Sequence, residues 1–168
     1  VTLHCATRRG PPIPPAMPTI SASIGLDLAP VDVHDDDAVR WLEACVWPDQ
    51  PDRFERLVAA ITLAREVGVD VRPGGAVDDL AGVVTEAAAA GHPVITTSWV
   101  LNYLTGAQRR RFVAELDRLG STMDLTWVAA ESPAETAGLP FPAWSGEERT
   151  VLAEARWRAG ERTVRRLA

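Results

Sequence analysis

Residues 93–131 constrain the fold more than any other part of the chain. PVITTSW (93–99) is rich in β-branched residues and reads as a buried strand. Thr105 follows as a helix N-cap, 112–119 carry apolar residues at helical spacing, and Gly120 reads as the helical stop. MDLTWVAAE (123–131) is a second strand. A strand, a capped helix and a strand in succession imply a mostly parallel sheet covered by helices.

The alternation extends in both directions. ISASIGLDL (20–28) reads as a short, mostly apolar strand. Asp35 or Asp36 caps a helix carrying Ala38, Val39, Trp41, Leu42, Cys45 and Val46 at helical spacing. Pro48 ends it, and Asp49 or Asp52 starts the next. The apolar stripe of that second helix is Phe54, Leu57, Val58, Ile61, Leu63 and Ala64, and Gly68 is its stop. VDVR (69–72) is a short strand, PGG a turn, and 77–90 a helix closed by Gly91. After residue 131 comes a proline-containing loop, ESPAETAGLPFPAWSGEE. RTVLAEARW and ERTVRRL then form a hairpin turning at Ala159-Gly160.

This order predicts a three-layer, Rossmann-like α/β domain over 20–168. Its sheet is expected to be mostly parallel, covered on both faces, and finished by a C-terminal antiparallel hairpin, the pattern of the Rossmann-like methyltransferases. Residues 1–7 alternate as a strand does, and GPPIPPAMPT (10–19) holds five prolines, so 1–19 is expected to be a strand and a proline-rich connector. The chain starts at Val1 in strand-like sequence and stops in strand-like sequence, which suggests a fragment of a longer protein.

Composition narrows the function classes. The 168 residues suffice for a real core. A net charge of −6 argues against nucleic acid as the main partner and against an anionic membrane surface. All 17 basic residues are arginine, which excludes Schiff-base chemistry, a lysine general base and a P-loop lysine. Cys5 and Cys45 stand far apart and form neither a metal pair nor a disulfide framework. Two free thiols and no apolar leader region suggest a cytoplasmic protein. The longest apolar region, 81–104, is broken by Glu86, Gly91, His92 and Pro93 and does not read as a membrane span.

Ligands of open α/β sheets bind at the carboxyl ends of the strands, so site candidates are sought there. Asp27 ends the 20–28 strand. Its carboxylate either takes both hydroxyls of a ribose or caps the turn before Pro30. Asp32, Asp35, Asp36 and Asp37 lack the alternating spacing and closing glutamate of a calcium loop, and read as the acidic start of a helix. Asp78, after the 69–72 strand, either reads an adenine edge or, like Asp79, caps a helix. Thr96, Thr97 and Ser98 end the central strand with hydroxyls directed at the cleft, but no glycine-flanked nucleophile elbow surrounds them. His4, His34 and His92 make no metal spacing, and no metal is expected. Arg109, Arg110 and Arg111 read as a solvated helix face. Most of the tryptophans (Trp41, Trp47, Trp99, Trp127, Trp144, Trp157) are expected in the core or a cleft wall.

At GLDLAPVDV, VWPDQPDRFERL, VITTSWVLNYL and the final hairpin the chain resembles a bacterial family known as domain of unknown function 2332. The resemblance runs from about residue 20 to the C-terminus, in the same order and spacing. VWPDQ with Arg53 beyond it is the most specific piece. The resemblance implies a divergent S-adenosylmethionine-dependent methyltransferase fold. Family members are about twice this length, and the glycine-containing strand and loop for the methionine end of the cofactor would lie upstream. An arginine common before the Gly-Leu-Asp run is replaced here by the neighbourhood Ser23-Ile24.

Two functions follow as expectations. In the first, S-adenosylmethionine is the cofactor, with Asp27 on the ribose, Asp78 on the adenine, Thr97 and Ser98 toward a small acceptor, and methyl transfer as the activity. In the second, the chain is a non-catalytic Rossmann-like module. It acts through an exposed strand edge, as a homodimer or by pairing with an N-terminal half.

Overall fold

The computed structural model describes residues 15–136, 139 and 150–167. The strand expected over 1–7, the first half of the proline-rich run (10–14), His4, Cys5 and Trp144 lie outside the described residues. The chain divides into two compact units, Val1–Pro73 and Gly74–Ala168.

The first unit contains β1 (Ile24–Asp27), α1 (Asp36–Ala44), α2 (Pro51–Val67) and β2 (Asp70–Pro73). β1 and β2 pair in parallel, with Ile24 opposite Asp70 and Asp27 opposite Pro73. Asp35 caps α1, its carboxylate accepting the N–H groups of Asp37 and Ala38 at 2.9 and 3.3 Å. The α2 start differs from expectation. Gln50 occupies the N-cap without a side-chain cap bond, and Pro51 opens the helix. Proline serves there because its fixed φ suits the first turn and it has no N–H to leave unpaired. Val39 and Ile61 are buried, whereas Trp41, Phe54, Val58 and Leu63 are exposed, so the apolar stripes read from sequence are only partly covered.

The second unit contains α3 (Leu80–Ala90), β3 (Val94–Ser98), a single 3-10 turn at Leu101–Tyr103, α4 (Gly106–Gly120), β4 (Leu125–Glu131), β5 (Val151–Arg158) and β6 (Glu161–Arg166). Its sheet order is β3-β4-β5-β6. β3 and β4 are parallel, and the β4–β5 and β5–β6 pairs are antiparallel. The fold is mixed α/β. Among the described residues the strands form one two-stranded and one four-stranded sheet, with two parallel and two antiparallel pairs. The antiparallel pairs come from the expected C-terminal hairpin, which turns back on itself beside β4.

Alternation along β4 turns Leu125, Trp127, Ala129 and Glu131 to one face, where they are buried. α3 and α4 cover that face through Val84, Phe112, Leu116 and Leu119. Phe112 meets Trp127 edge-on, ring centroids 5.2 Å apart. Among the described residues of this unit, both helices lie against the same core, giving a two-layer packing. Thr105 caps α4 as expected, in a full capping box with Gln108. Gly120 has another role than a left-handed stop. It is the last helical residue, Ser121 caps the helix in right-handed geometry, and Gly120 sits directly on the Trp157 indole.

The hairpin turns at Ala159 and Gly160, with φ of 49° and 82°. Two consecutive positive φ values are what a tight two-residue hairpin of the right twist demands. Ala159 bears the Cβ penalty of that geometry, and its N–H is anchored by Asp124 Oδ1 at 3.0 Å. Replacing it, as Ala159→Gly, is expected to raise stability by about 0.5–1 kcal/mol, read as an upward shift of the thermal midpoint.

On the sheet face away from α3 and α4, Glu154 is buried between two arginines. Arg165 Nε lies 2.9 Å and Arg156 Nε 2.7 Å from its Oε1. Burial works against its charge, but hydrogen bonds from Arg165 and Arg156 outweigh it and hold the carboxyl below the usual glutamate range. A carboxylate depressed in the folded state contributes stability that is complete above its unfolded value, near 4.5, and is lost as pH falls through the lower folded value. The stability gap between the native protein and Glu154→Gln should therefore be constant near neutrality and close on acidification below that point, in urea titrations run across pH.

Candidate functional site

The carboxyl end of the β3–β4 pair holds the densest group of unusual residues. β3 ends at Ser98, and Trp99 then adopts φ 57°. A bulky residue in the left-handed region costs about 1–2 kcal/mol, so something must hold it. Two bonds to β4 do so. Trp99 N–H donates to the Ala130 carbonyl at 3.0 Å, and Leu101 N–H donates to Glu131 Oε2 at 3.1 Å. Glu131 is fully buried, and its second oxygen, Oε1, has no hydrogen-bond partner. Beyond it, the turn at 132–136 is tied to α4 by an ion pair between Arg109 and Glu135, both side chains mostly covered.

Of the residues expected here, Ser98 is exposed at this end. Thr97 is buried on the helix-covered face, and its hydroxyl accepts the Trp127 Nε1 proton at 3.0 Å. That bond satisfies an indole N–H which burial would otherwise leave unpaired. Thr97 thus turns its hydroxyl into the core instead of toward a cleft. Asp78 is exposed and its carboxylate takes a 2.7 Å bond from Arg111. Arg110 and Arg111 are exposed, in keeping with a solvated helix face, whereas Arg109 is mostly covered. The N-cap of α3 is Asp79, whose carboxylate closes the turn before the helix by accepting Gly75 N–H at 2.7 Å.

In the first unit, Asp27 ends β1 at the carboxyl edge of a parallel pair. Its Oδ1 accepts Ala29 N–H at 2.8 Å, so the turn-capping role is present, and the residue is exposed. The four other aspartates of the opening segment each have a local task. Asp32 accepts His34 N–H, Asp35 caps α1, Asp36 binds Arg65, and Asp37 binds Arg40. His92 is paired with the Thr126 hydroxyl at 2.9 Å. Among the described residues, no three His, Cys, Asp or Glu side chains gather as a metal site needs. No helix among them is long and apolar enough to cross a membrane.

The described tryptophans divide between core and surface. Trp127 and Trp157 are buried, while Trp41, Trp47 and Trp99 are exposed. The buried two occupy inward positions of β4 and β5. Trp41 lies on the uncovered side of a nine-residue helix, and Trp47 in the turn after it. Around that turn, Asp49, Gln50, Asp52, Arg53 and Arg56 line an open depression, and Trp47, Pro48 and Phe54 line a smaller one beside it.

Glu131 and Trp99 are the residues that sequence reading passed over. The signal for Glu131 was present. In LTWVAAE an acid takes the inward place that Leu125, Trp127 and Ala129 predict to be apolar. Trp99 carried none, because a positive φ at tryptophan is imposed by its neighbours.

No curated protein and no solved structure matches the chain. A family model does, over residues 1–168, so the likeness covers the whole chain and not only the part after residue 20. The chain belongs to the family described as "Uncharacterized protein conserved in bacteria (DUF2332)".

Proposed function

We propose that this chain is part of a divergent, cytoplasmic, S-adenosylmethionine-dependent methyltransferase-like protein with a Rossmann-like, three-layer sheet. The observation that carries the reading is Asp27, an exposed carboxylate at the carboxyl edge of a parallel strand pair, with one oxygen left over from its turn bond. That oxygen suits a ribose hydroxyl. Methyl transfer needs in-line positioning more than a strong base, which agrees with the lack of a nucleophile elbow.

The test is calorimetric titration of S-adenosylmethionine and S-adenosylhomocysteine into the protein and into Asp27→Asn. The amide oxygen of the substituted side chain would still accept Ala29 N–H, so the turn survives while the charge is lost. The native protein is expected to bind and the variant to bind about tenfold more weakly or worse, about 1.4 kcal/mol. A folded protein that binds neither compound overturns the reading.

A second reading is a non-catalytic module that works through strand-edge contacts. The observation favouring it is the outer edge of β3, to which no strand is hydrogen-bonded among the described residues.

A further inference from the structure

Glu154 on β5 and Arg165 on β6 stand directly opposite each other, and Arg156 follows two residues along β5. All three side chains therefore project from one face of the sheet, the face away from α3 and α4. Arg165 holds the carboxylate with two parallel bonds, Nε to Oε1 at 2.9 Å and Nη2 to Oε2 at 3.1 Å. Arg156 donates from Nη2 to Oε2 at 2.9 Å, and its buried Nε stands 2.7 Å from Oε1 without a well-directed bond. One acid thus fixes both guanidiniums.

A carboxylate buried under two guanidiniums adds little net stability over apolar packing. What it supplies is order. Arginine loses much rotamer freedom when it binds a ligand, and here Glu154 has already imposed that loss. A guanidinium has five N–H donors, and Glu154 faces only the Nε–Nη2 edge of each. Neither Nη1 group has a partner among the described residues. The side chains of Arg156 and Arg165 are 39% and 61% exposed, so a ligand can reach them, while that of Glu154 is only 9% exposed. Thr163, opposite Arg156, adds an exposed residue with a hydroxyl on the same face. Two cations share one anion, which leaves a positive spot on a chain of net charge −6.

We propose that Arg156 and Arg165, fixed by Glu154, bind the phosphate group of a small phosphomonoester. The inference goes beyond the methyl-transfer reading and does not depend on it. Guanidinium forks match oxyanions with parallel hydrogen bonds. A monoester phosphate offers three oxygens and a charge of about −1.5 to −2, which suits two forks at once. A phosphodiester has fewer free oxygens and a single charge. The net charge of −6 also opposes nucleic acid and an anionic bilayer, whose phosphates are diesters in dense array.

Calorimetric titration at constant ionic strength tests this. The probes are methyl phosphate, dimethyl phosphate and acetate. The proteins are the 168-residue chain, Arg156→Lys, Arg165→Lys and, as a control on α4, Arg110→Lys. Lysine keeps the charge and a donor for Glu154 but loses the fork. The native chain and Arg110→Lys are expected to bind methyl phosphate alike, about tenfold or more tighter than dimethyl phosphate or acetate. Each cluster variant should bind it about tenfold more weakly, with unchanged circular dichroism. If Arg156→Lys unfolds, Arg165→Lys decides, because that side chain is the more exposed. Methyl phosphate should also raise the thermal midpoint of the native protein and not that of Arg165→Lys, a difference that a purely structural ion cluster does not produce. A native chain that binds no methyl phosphate overturns the proposal. Binding that both lysine variants retain is an adventitious ion only and overturns it too. Equal affinity for dimethyl phosphate or acetate does the same, because the cluster then makes no use of the monoester.

Discussion

Gly120→Ala is expected to be the most damaging single methyl group that can be added to the second unit. A Cβ at this position would stand 2.1 Å from Trp157 Cδ1, 2.2 Å from its Cγ and 2.7 Å from its Cβ. Carbon atoms rest at about 3.5–4.0 Å, so the overlap exceeds what small shifts absorb. The indole has no room to yield. It is buried in the core, its Nε1 donates to Asp117 Oδ1 at 2.9 Å, and Asp117 is held in turn by Arg162. The end of α4 must instead lift off β5. Overpacking of a core costs about 1–3 kcal/mol and occasionally more. Here about 3 kcal/mol or more is expected, a large part of a small domain's total of about 5–15 kcal/mol. Urea denaturation, with near-ultraviolet circular dichroism to follow Trp157, reads the loss. Gly82, in the first turn of α3, has nothing within 4 Å of its own Cβ position. Gly82→Ala should therefore stabilise by about 0.5–1 kcal/mol in the same assay, which separates steric overlap from helix propensity.

Glu131→Ala should cost about 2–3 kcal/mol. The variant leaves the buried Leu101 N–H without its acceptor, worth about 1–3 kcal/mol, and opens a small cavity at the end of β4. Against this, it removes an oxygen that is buried without a partner. Glu131→Gln keeps an acceptor for Leu101 and should recover most of the loss. Chemical denaturation of the two variants side by side measures the difference. Equal losses would show that the acceptor bond to Leu101 is not what Glu131 supplies. The Trp99 corner depends on the same bond, so Trp99 fluorescence should change in Glu131→Ala and far less in Glu131→Gln. This matters for function because the corner is where Ser98 would present its hydroxyl.

Much of the fold was legible because it is written in short-range terms. The β-branched run at 94–98, the capping box at Thr105 and the Asp35 cap need only a few neighbouring residues to act, and each element appears where those residues predict. The hairpin turn at Ala159-Gly160 was legible for the same reason. The candidate site was legible only as positions. Asp27 and Ser98 do end parallel strands. Which way Thr97 turns depended on an indole N–H thirty residues away that needed an acceptor.

The sequence by itself determined the order and kind of the elements and the closing hairpin, because propensity, capping and turn chemistry are local. The tertiary structure alone decided three things: that β3 lies beside β4, that Gly120 is required by Trp157, and that Glu131 is buried with one oxygen unmatched. Each of these depends on atoms brought together from distant parts of the chain. No window of neighbouring residues carries the distance between a helix end and an indole, or the count of donors around a buried carboxylate.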